Sequence, residues 1–103
     1  EVNVLGVNEN FLGNSGLEIE SGRNFSYFDI ENNVNVCILG ADFKDALFNG
    51  MDPVGKTISV RGAKFKVIGI LESKGSTFGN NEDLRVLIPI QIARSLFNQA
   101  YIN

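Results

Sequence analysis

The sequence predicts an α+β domain in which a mixed sheet containing a β-hairpin carries short helices on one face. Two observations lead to this fold class. Several short segments alternate apolar and polar residues, as half-buried strands do. Between them lie segments with apolar residues at helical spacing, bounded by glycine, asparagine or proline. The 103 residues, 44% of them hydrophobic, suit a single domain over residues 1–103 with a real core.

The first part of the chain is predicted to place one short helix between two extended segments. Residues 2–7 alternate apolar and polar side chains and favour a strand. Asn8 can cap a short helix, which the glycine-rich residues 13–16 would end. Residues 17–20 are interpreted as a half-exposed extended segment, and Ser21-Gly22 as a turn.

Two further short helices are predicted in the middle of the chain. Ser26 and Asp29 have the spacing of a capping box, which predicts a single helical turn after Ser26. Residues 42–48 place apolar side chains on one face of another short helix. Asp42 can cap its start, and Asn49-Gly50 is a common way to end a helix.

The strands of the middle region are predicted from β-branched and alternating residues. Residues 34–39 are mostly apolar and predict a central strand. Residues 57–60 and 64–71 alternate around a turn at residues 61–63, which predicts a hairpin. The positive side chains of this hairpin are interpreted as its solvent face: Lys56, Arg61, Lys64 and Lys66.

The last part of the chain is predicted to run from a long loop into a strand and a helix. Residues 72–83 are polar and glycine-rich, as loops are. Residues 84–88 favour a strand, and Pro89 suits the first turn of a helix, where its missing N–H costs nothing. That helix has an apolar stripe: Ile92, Ala93, Leu96 and Phe97.

Residues 50–57, GMDPVGKT, match the phosphate-binding pattern G-x-x-x-x-G-K-[ST]. A phosphate loop needs a buried strand before it and a helix beginning at its Gly-Lys-Thr. Here a helix is predicted before the motif and a hairpin after it. Asp52 would repel a phosphate, and Pro53 has no N–H to donate. We therefore interpret these residues as a turn, with nucleotide binding as the minor alternative.

The composition excludes several classes of function. The net charge is −3, with no basic run, so nucleic-acid binding is not expected. The chain has no histidine and one cysteine, which excludes the usual zinc sites and any Ser-His-Asp or Cys-His centre. Cys37 lies in an apolar strand and is interpreted as a buried structural thiol. We expect no catalytic residues, no metal and no cofactor.

An ordered set of motifs resembles the extracytoplasmic core domain of MacB-type ABC-transporter permeases and their FtsX-like and lipoprotein-releasing relatives. Residues 21–29 resemble the family's SGR.F...D segment, and residues 36–40 its V.VLG. Residues 47–71 resemble LFG..DPVGK.I...G..F.VIGVL, and residues 86–89 resemble V.IP. We expect the matching residues to be structural: Gly22, Arg23, Gly40, Asp52, Pro53, Gly55, Gly69 and Pro89.

The resemblance implies a role in transport without chemistry in this domain. It implies a fragment of the extracytoplasmic region of an integral membrane protein, on the periplasmic or outer face of the bacterial cell membrane. Cytoplasmic ATP hydrolysis would move membrane helices outside this chain, and the domain would carry that motion outward. The implied partners are an adaptor protein of the MacA kind, the second permease protomer and, through the membrane helices, the cytoplasmic ATPase.

Phe78 is the one large apolar residue in the loop of residues 72–83. Its ring is expected either to fold back onto the domain or to contact a partner, because loops on a rigid body concentrate contacts. Two rival functions stand beside the transport reading: a free-standing extracytoplasmic ligand-binding or interaction module, and a nucleotide-binding domain. Arg23 is expected to pair its head group with an acid or a backbone carbonyl.

Overall fold

The structure is a computed structural model that describes residues 2–73 and 84–97. These residues form strands and helices of no more than nine residues each, which suits a chain rich in turn signals. In chain order the elements are β1 (Asn3–Val7), α1 (Phe11–Ser15), β2 (Ile19–Gly22), α2 (Tyr27–Glu31), β3 (Val36–Leu39), α3 (Phe43–Phe48), β4 (Thr57–Val60), β5 (Ala63–Leu71), β6 (Arg85–Pro89) and α4 (Ile90–Phe97).

The strands of the described residues form one mixed sheet, in which β1, β6, β3, β5 and β2 lie side by side in that order. β1 is parallel to β6 and β3 is parallel to β5, whereas β3 and β6 are antiparallel. β4 pairs with the first half of β5 as an antiparallel hairpin, and β2 pairs with its second half. β5 therefore has β3 along one side and β4 followed by β2 along the other. The α+β fold class, with its mixed sheet and hairpin, is confirmed.

The sheet is covered by helices on both faces. Ile38 of β3 packs in one core cluster with Leu12 of α1 and Ile30 of α2. Its neighbour Leu39 packs in a second cluster with Phe43 of α3, and α4 lies against this cluster too. Because successive side chains of a strand point to opposite faces, the two clusters lie on opposite sides of the sheet. The prediction of helices on one face was wrong, since a helical stripe does not tell which face it covers.

Local signals explain why several elements begin and end where they do. Ser26 and Asp29 form the predicted capping box: the Asp29 N–H donates to the Ser26 hydroxyl at 3.1 Å, and the Ser26 N–H donates to the Asp29 carboxylate at 2.8 Å. Asn49 ends α3 in the left-handed conformation, with φ of 53°. Arg61 and Gly62 have φ of 50° and 84°, the pair of positive values that a two-residue hairpin turn requires.

The start and end of α1 differ from the prediction. The helix includes residues 13–15 and ends at Gly16, whose φ is 69°, so it extends through the segment that was predicted to end it. Asn8 does not cap it directly. Its side chain accepts a hydrogen bond from the Asn10 N–H at 2.9 Å, and Asn10 occupies the cap position. An isolated glycine in a helix costs only about 1 kcal/mol, which packing by a residue such as Leu12 can offset.

Three other local predictions were wrong. Ser21 and Gly22 are not a turn but the end of β2, paired with Ile70 and Gly69 of β5. Asp42 stands at the N-cap position of α3 but makes no side-chain capping hydrogen bond. Pro89 is the last residue of β6, and α4 begins one residue later. No helix among residues 2–73 and 84–97 is long and apolar enough to cross a membrane.

Candidate functional site

Two segments of the family pattern meet at the middle of β5. The Gly55 N–H donates to the Val67 carbonyl at 2.8 Å, and the Val67 N–H donates to the Lys56 carbonyl at 2.8 Å. One residue further along β5, the Arg23 N–H donates to the Ile68 carbonyl at 2.8 Å. The turn before β4 and the end of β2 are thus fixed to adjacent peptide groups of β5. We call this meeting point the β5 joint.

The two glycines Gly22 and Gly69 permit this close approach. They pair directly across β2 and β5. A Cβ atom on Gly22, whose φ is 86°, would overlap the Ile68 carbonyl oxygen. A Cβ atom on Gly69 would lie 2.6 Å from the Arg23 carbonyl oxygen. Glycine at both positions is therefore a requirement of backbone packing as well as of conformation.

Asp52 connects the turn before β4 to β2. Its carboxylate accepts a hydrogen bond from the Val54 N–H at 3.0 Å and another from the Ser21 hydroxyl at 2.8 Å. Both hydrogen bonds lower the pKa of the Asp52 carboxyl, and the one from the Val54 N–H has the larger effect. Pro53 follows as a fully buried side chain. The contacts support the structural role predicted for Asp52 and Pro53, which stays a prediction.

Arg23 and Asp29 form an ion pair beside the β5 joint. The guanidinium lies 2.7 Å from the Asp29 carboxylate and also donates to the Asn24 carbonyl at 3.1 Å. Arg23 thus pairs with both kinds of acceptor that its sequence context predicted. The Asp29 side chain is 5% exposed, whereas that of Arg23 is 53% exposed. Because both residues belong to the SGR.F...D segment, one ion pair fixes α2 against the end of β2.

The pKa of the Asp29 carboxyl is lowered by a balance of opposing effects. Burial alone raises this pKa. The hydrogen bonds from Arg23 and from the backbone and hydroxyl of Ser26 favour the charged form, and together they outweigh the burial. The same contact raises the pKa of the Arg23 guanidinium. The carboxylate is therefore held ionised as a structural anchor, which does not suit a general acid.

Gly40 and Pro89 lie away from the β5 joint. The Gly40 N–H donates to the Arg85 carbonyl at 2.8 Å, which extends the pairing of β3 with β6. Pro89 pairs with Val7 at the end of β6. The predicted structural residues therefore divide into those at the joint and these two at the other side of β3. Sequence reasoning missed Gly6, where a Cβ atom would lie 2.5 Å from the Ala93 Cβ of α4.

The resemblance of residues 50–57 to a phosphate loop does not extend to its geometry. α3 precedes the motif and β4 follows it, so the predicted context is confirmed. Phosphate binding would require free backbone N–H groups. Five N–H groups of this segment donate instead to acceptors of the chain itself, which include the carbonyls of Lys44, Phe48, Pro53 and Val67. The donors engaged in this way belong to Gly50, Met51, Val54, Gly55 and Lys56.

Cys37 is a buried thiol in the middle of β3. Burial raises its pKa to about 12, so the reactive thiolate is scarcely populated at neutral pH. Among residues 2–73 and 84–97, no cluster of Cys, Asp and Glu side chains could hold a metal ion. In this part of the chain the candidate site is a set of contacts between segments.

Two exposed aromatic residues were not singled out from the sequence. Tyr27 and Phe28 begin α2 and are 65% and 66% exposed. The capping box and the Arg23–Asp29 ion pair hold the helical turn that carries them. Their position after a capping serine gave no signal of exposure. Phe78, the predicted partner contact, lies outside the described residues, and its role stays a prediction.

The whole chain matches one known family. The family described as the MacB-like periplasmic core domain matches residues 1–103. The chain belongs to this family. The resemblance recognised from the motifs is therefore confirmed. Members of this family form part of ABC-transporter permeases, so the chain is a domain of that kind.

Curated relatives of this MacB-like domain are much longer proteins. The chain is 35% identical over 86 residues to the macrolide export ATP-binding/permease protein MacB of Neisseria gonorrhoeae, covering 84% of the chain and 13% of that protein. It is 32% identical over 101 residues to MacB 2 of Yersinia pestis, covering 96% of the chain and 15% of that protein. The chain therefore spans less than a sixth of the length of these relatives.

Solved structures show the same fold. The periplasmic region of MacB from Actinobacillus actinomycetemcomitans superposes with a TM-score of 0.78 at 23% identity, covering 92% of the chain and 41% of that structure. The extracellular domain of YknZ, a noncanonic ABC-type transporter from Gram-positive bacteria, has a TM-score of 0.76 at 21% identity and covers 92% and 46%. The MacB-like domain thus occupies less than half of each of these extracytoplasmic regions.

Gly55→Val should lower the free energy of unfolding by about 1–3 kcal/mol, because the φ of 94° at Gly55 is closed to a β-branched residue. Beyond its two chain neighbours, no described atom lies within 4 Å of the added Cβ, so the cost is conformational. Gly13→Val is the matched control, since Gly13 is also exposed and open but helical, and we expect little change there. Urea denaturation measures both, and equal midpoints for Gly55→Val and wild type would contradict the prediction.

Lowering the pH below about 4 should destabilise the domain through Asp29. The folded-state pKa of Asp29 is lowered, so its contribution is present above the unfolded pKa of about 3.9 and is lost as the pH falls through the folded value. Asp29→Asn should cost about 1–3 kcal/mol at pH 7 and flatten this dependence. Asp45→Asn, an exposed residue in the first turn of α3, is the control. An unchanged pH profile in Asp29→Asn would refute the assignment.

Mg-ATP should not bind the chain, because the N–H groups around Gly55 and Lys56 donate to other carbonyls. A thermal-shift titration to millimolar Mg-ATP should leave the melting temperature unchanged, and calorimetry should show no saturable heat. Saturable binding in the micromolar range would contradict the interpretation of residues 50–57 as a turn.

Proposed function

We propose that this domain is a non-catalytic extracytoplasmic element of an ABC-transporter permease, which carries motion from ATP-driven membrane helices to a MacA-like adaptor protein and the second permease protomer. The full protein would stand in the bacterial cell membrane with this domain on its periplasmic or outer face. The export named in its MacB relatives is macrolide export, and the substrate class of this protein is left open.

One observation carries the proposal. Most of the residues that match the family pattern lie in the β5 joint, where they contact each other instead of lining a reactive site. Ser21 and Asp52, 31 residues apart, are joined by a hydrogen bond of 2.8 Å, and Gly55 and Arg23 are bonded to adjacent peptide groups of β5. A joint of this kind makes the connected strands move as one body. A rigid body suits an element that transmits displacement.

The composition of the chain and the state of its buried groups in the described residues support a role through contacts. The chain has no histidine, and its only thiol is buried with a raised pKa. The buried carboxylate Asp29 is engaged by Arg23 and Ser26. We expect a domain with these properties to act through contacts with other proteins. The exposed aromatic residues Tyr27 and Phe28 are one candidate contact of the described part, and Phe78 remains another.

Phe78→Ala tests the contact role in the full-length transporter. We expect export or assembly with the adaptor to be impaired while ATP hydrolysis continues, because a lost contact uncouples hydrolysis from transport. The melting temperature of the isolated 103-residue chain should stay nearly unchanged. Phe65→Ala is the comparison for a core phenylalanine: Phe65 is 0% exposed, and its loss should cost about 3–5 kcal/mol.

Two outcomes would count against this role for Phe78. A loss of several kcal/mol in the isolated chain would place the ring in the core. Export and assembly at wild-type levels, with stability also unchanged, would show that the loop makes no essential contact.

A further inference from the structure

The β4–β5 hairpin is a positive region on an acidic protein. Residues 53–71 contain no Asp or Glu, whereas the chain as a whole has twelve. Four of the nine Lys and Arg residues fall within residues 56–66. The rest of the chain contains the other five, together with all twelve Asp and Glu residues. The described hairpin cations form no ion pair. They are all exposed to solvent: Lys56, Arg61, Lys64 and Lys66.

One face of the hairpin is exposed to solvent and carries two of these cations. Lys64 lies opposite Ser59, and Lys66 lies opposite Thr57, so the four side chains share a face. All four are exposed. The intervening residues, among them Phe65, point into the second core cluster on the other face. Alternate residues of a strand are roughly 7 Å apart, so two ammonium groups stand beside two hydroxyl groups at the spacing of side chains on an extended chain.

The outer edge of β4 has no partner among the described strands. β4 pairs with β5 and with no other strand of residues 2–73 and 84–97. The two-residue turn at Arg61-Gly62 makes Val60 and Ala63 a hydrogen-bonded pair, and such pairs alternate along a hairpin. The Thr57 and Ser59 backbone groups therefore point away from β5. They offer donors and acceptors to a further strand on the edge of the basic face.

The position of Lys64 and Lys66 suits the binding of an acidic strand better than it suits protection of the β4 edge against aggregation. Edge strands are commonly protected by lysine or proline within the edge itself. Here β4, TISV, has neither, and Lys64 and Lys66 stand one strand inward. From there they repel a basic chain that pairs with β4 and attract an acidic one. The β4 edge, with lysines on the neighbouring strand β5, thus favours acidic partner strands over basic ones.

The tip of the hairpin is held in place against the rest of the domain. The Arg61 guanidinium lies 4.4 Å from the centre of the Phe97 ring at the end of α4. This cation–π contact anchors the turn that sets the register of β4 and β5. The edge is therefore presented by a fixed element, which lowers the entropic cost of adding a strand.

We propose that the β4–β5 hairpin binds an extended acidic segment of a partner protein, which adds to β4 as a further strand and directs alternate carboxylates toward Lys64 and Lys66. This proposal goes beyond the coupling role, because it defines a surface by charge and strand geometry. A membrane surface is less well suited. The large apolar side chains exposed in the described residues lie outside the hairpin: Val2, Leu5, Tyr27, Phe28, Leu47 and Met51.

The direct test is fluorescence anisotropy of a labelled alternating Glu–Thr decapeptide with the 103-residue chain at about 50 mM salt, where surface charges are weakly screened. We expect saturable binding. The double variant K64Q/K66Q should weaken it about tenfold, since two exposed ion pairs are lost. Arg94→Gln, at an exposed position on α4, removes a charge outside the hairpin and should leave binding unchanged.

A second comparison separates strand addition from simple charge attraction. Ser59→Pro removes an outward N–H without removing a β5 hydrogen bond and should abolish binding, whereas Ser59→Ala keeps the N–H and should bind. If Ser59→Pro does not fold, a Glu–Thr peptide N-methylated at alternate amides keeps the charge but cannot pair, and it should not bind the wild-type chain.

Three results would overturn the proposal. The first is no saturable binding of the Glu–Thr peptide. The second is equal binding of the N-methylated peptide, which would leave electrostatic attraction without strand addition. The third is lysine-dependent binding of the chain to phosphatidylglycerol vesicles with no peptide binding, which would assign the surface to lipid. Because the assay uses the isolated chain, failure here leaves the coupling role, which is measured by export, untouched.

Discussion

The close backbone approach of β2 to β5 is the constraint on which much of the described structure depends. Gly22 and Gly69 face each other at a distance that leaves no room for a side chain on either. This contact lets Arg23 reach both the Ile68 carbonyl and Asp29, so α2 is fixed by the same few residues. The turn that contains Asp52 is then joined to β2 through Ser21. A short segment of β5 thereby holds together the end of β2, α2 and the turn that contains Asp52.

Features that depend on neighbouring residues could be predicted from the sequence. The capping box of Ser26 and Asp29, the end of α3 at Asn49 and the turn at Arg61-Gly62 each follow from residues within a few positions of one another. The central position of β3 followed from its apolar run. Each of these elements has a local physical cause, and each appears in the structure close to its predicted place.

Features that depend on distant contacts could not be predicted in this way. Ser21-Gly22 carries a turn signal, but its glycine serves the approach of another strand. The face that each helix covers depends on how the chain crosses the sheet, which periodicity does not encode. The candidate site was reached through the resemblance, because the hydrogen bond between Ser21 and Asp52 joins residues 31 positions apart. The exposure of Phe28 also has no local signal, since a phenylalanine on a short helix is as often buried.

The order of the strands has a consequence for folding during synthesis. β6 is the last strand of the described residues to be synthesised, yet it lies inside the sheet, between β1 and β3. Until it leaves the ribosome, β1 lacks its neighbour and β3 has one open side. The sheet therefore cannot close during synthesis until residues 85–89 have emerged. Until then, β1 and one side of β3 have unpaired edges. Chaperones that guard emerging polypeptides would meet this domain as an open-sided sheet.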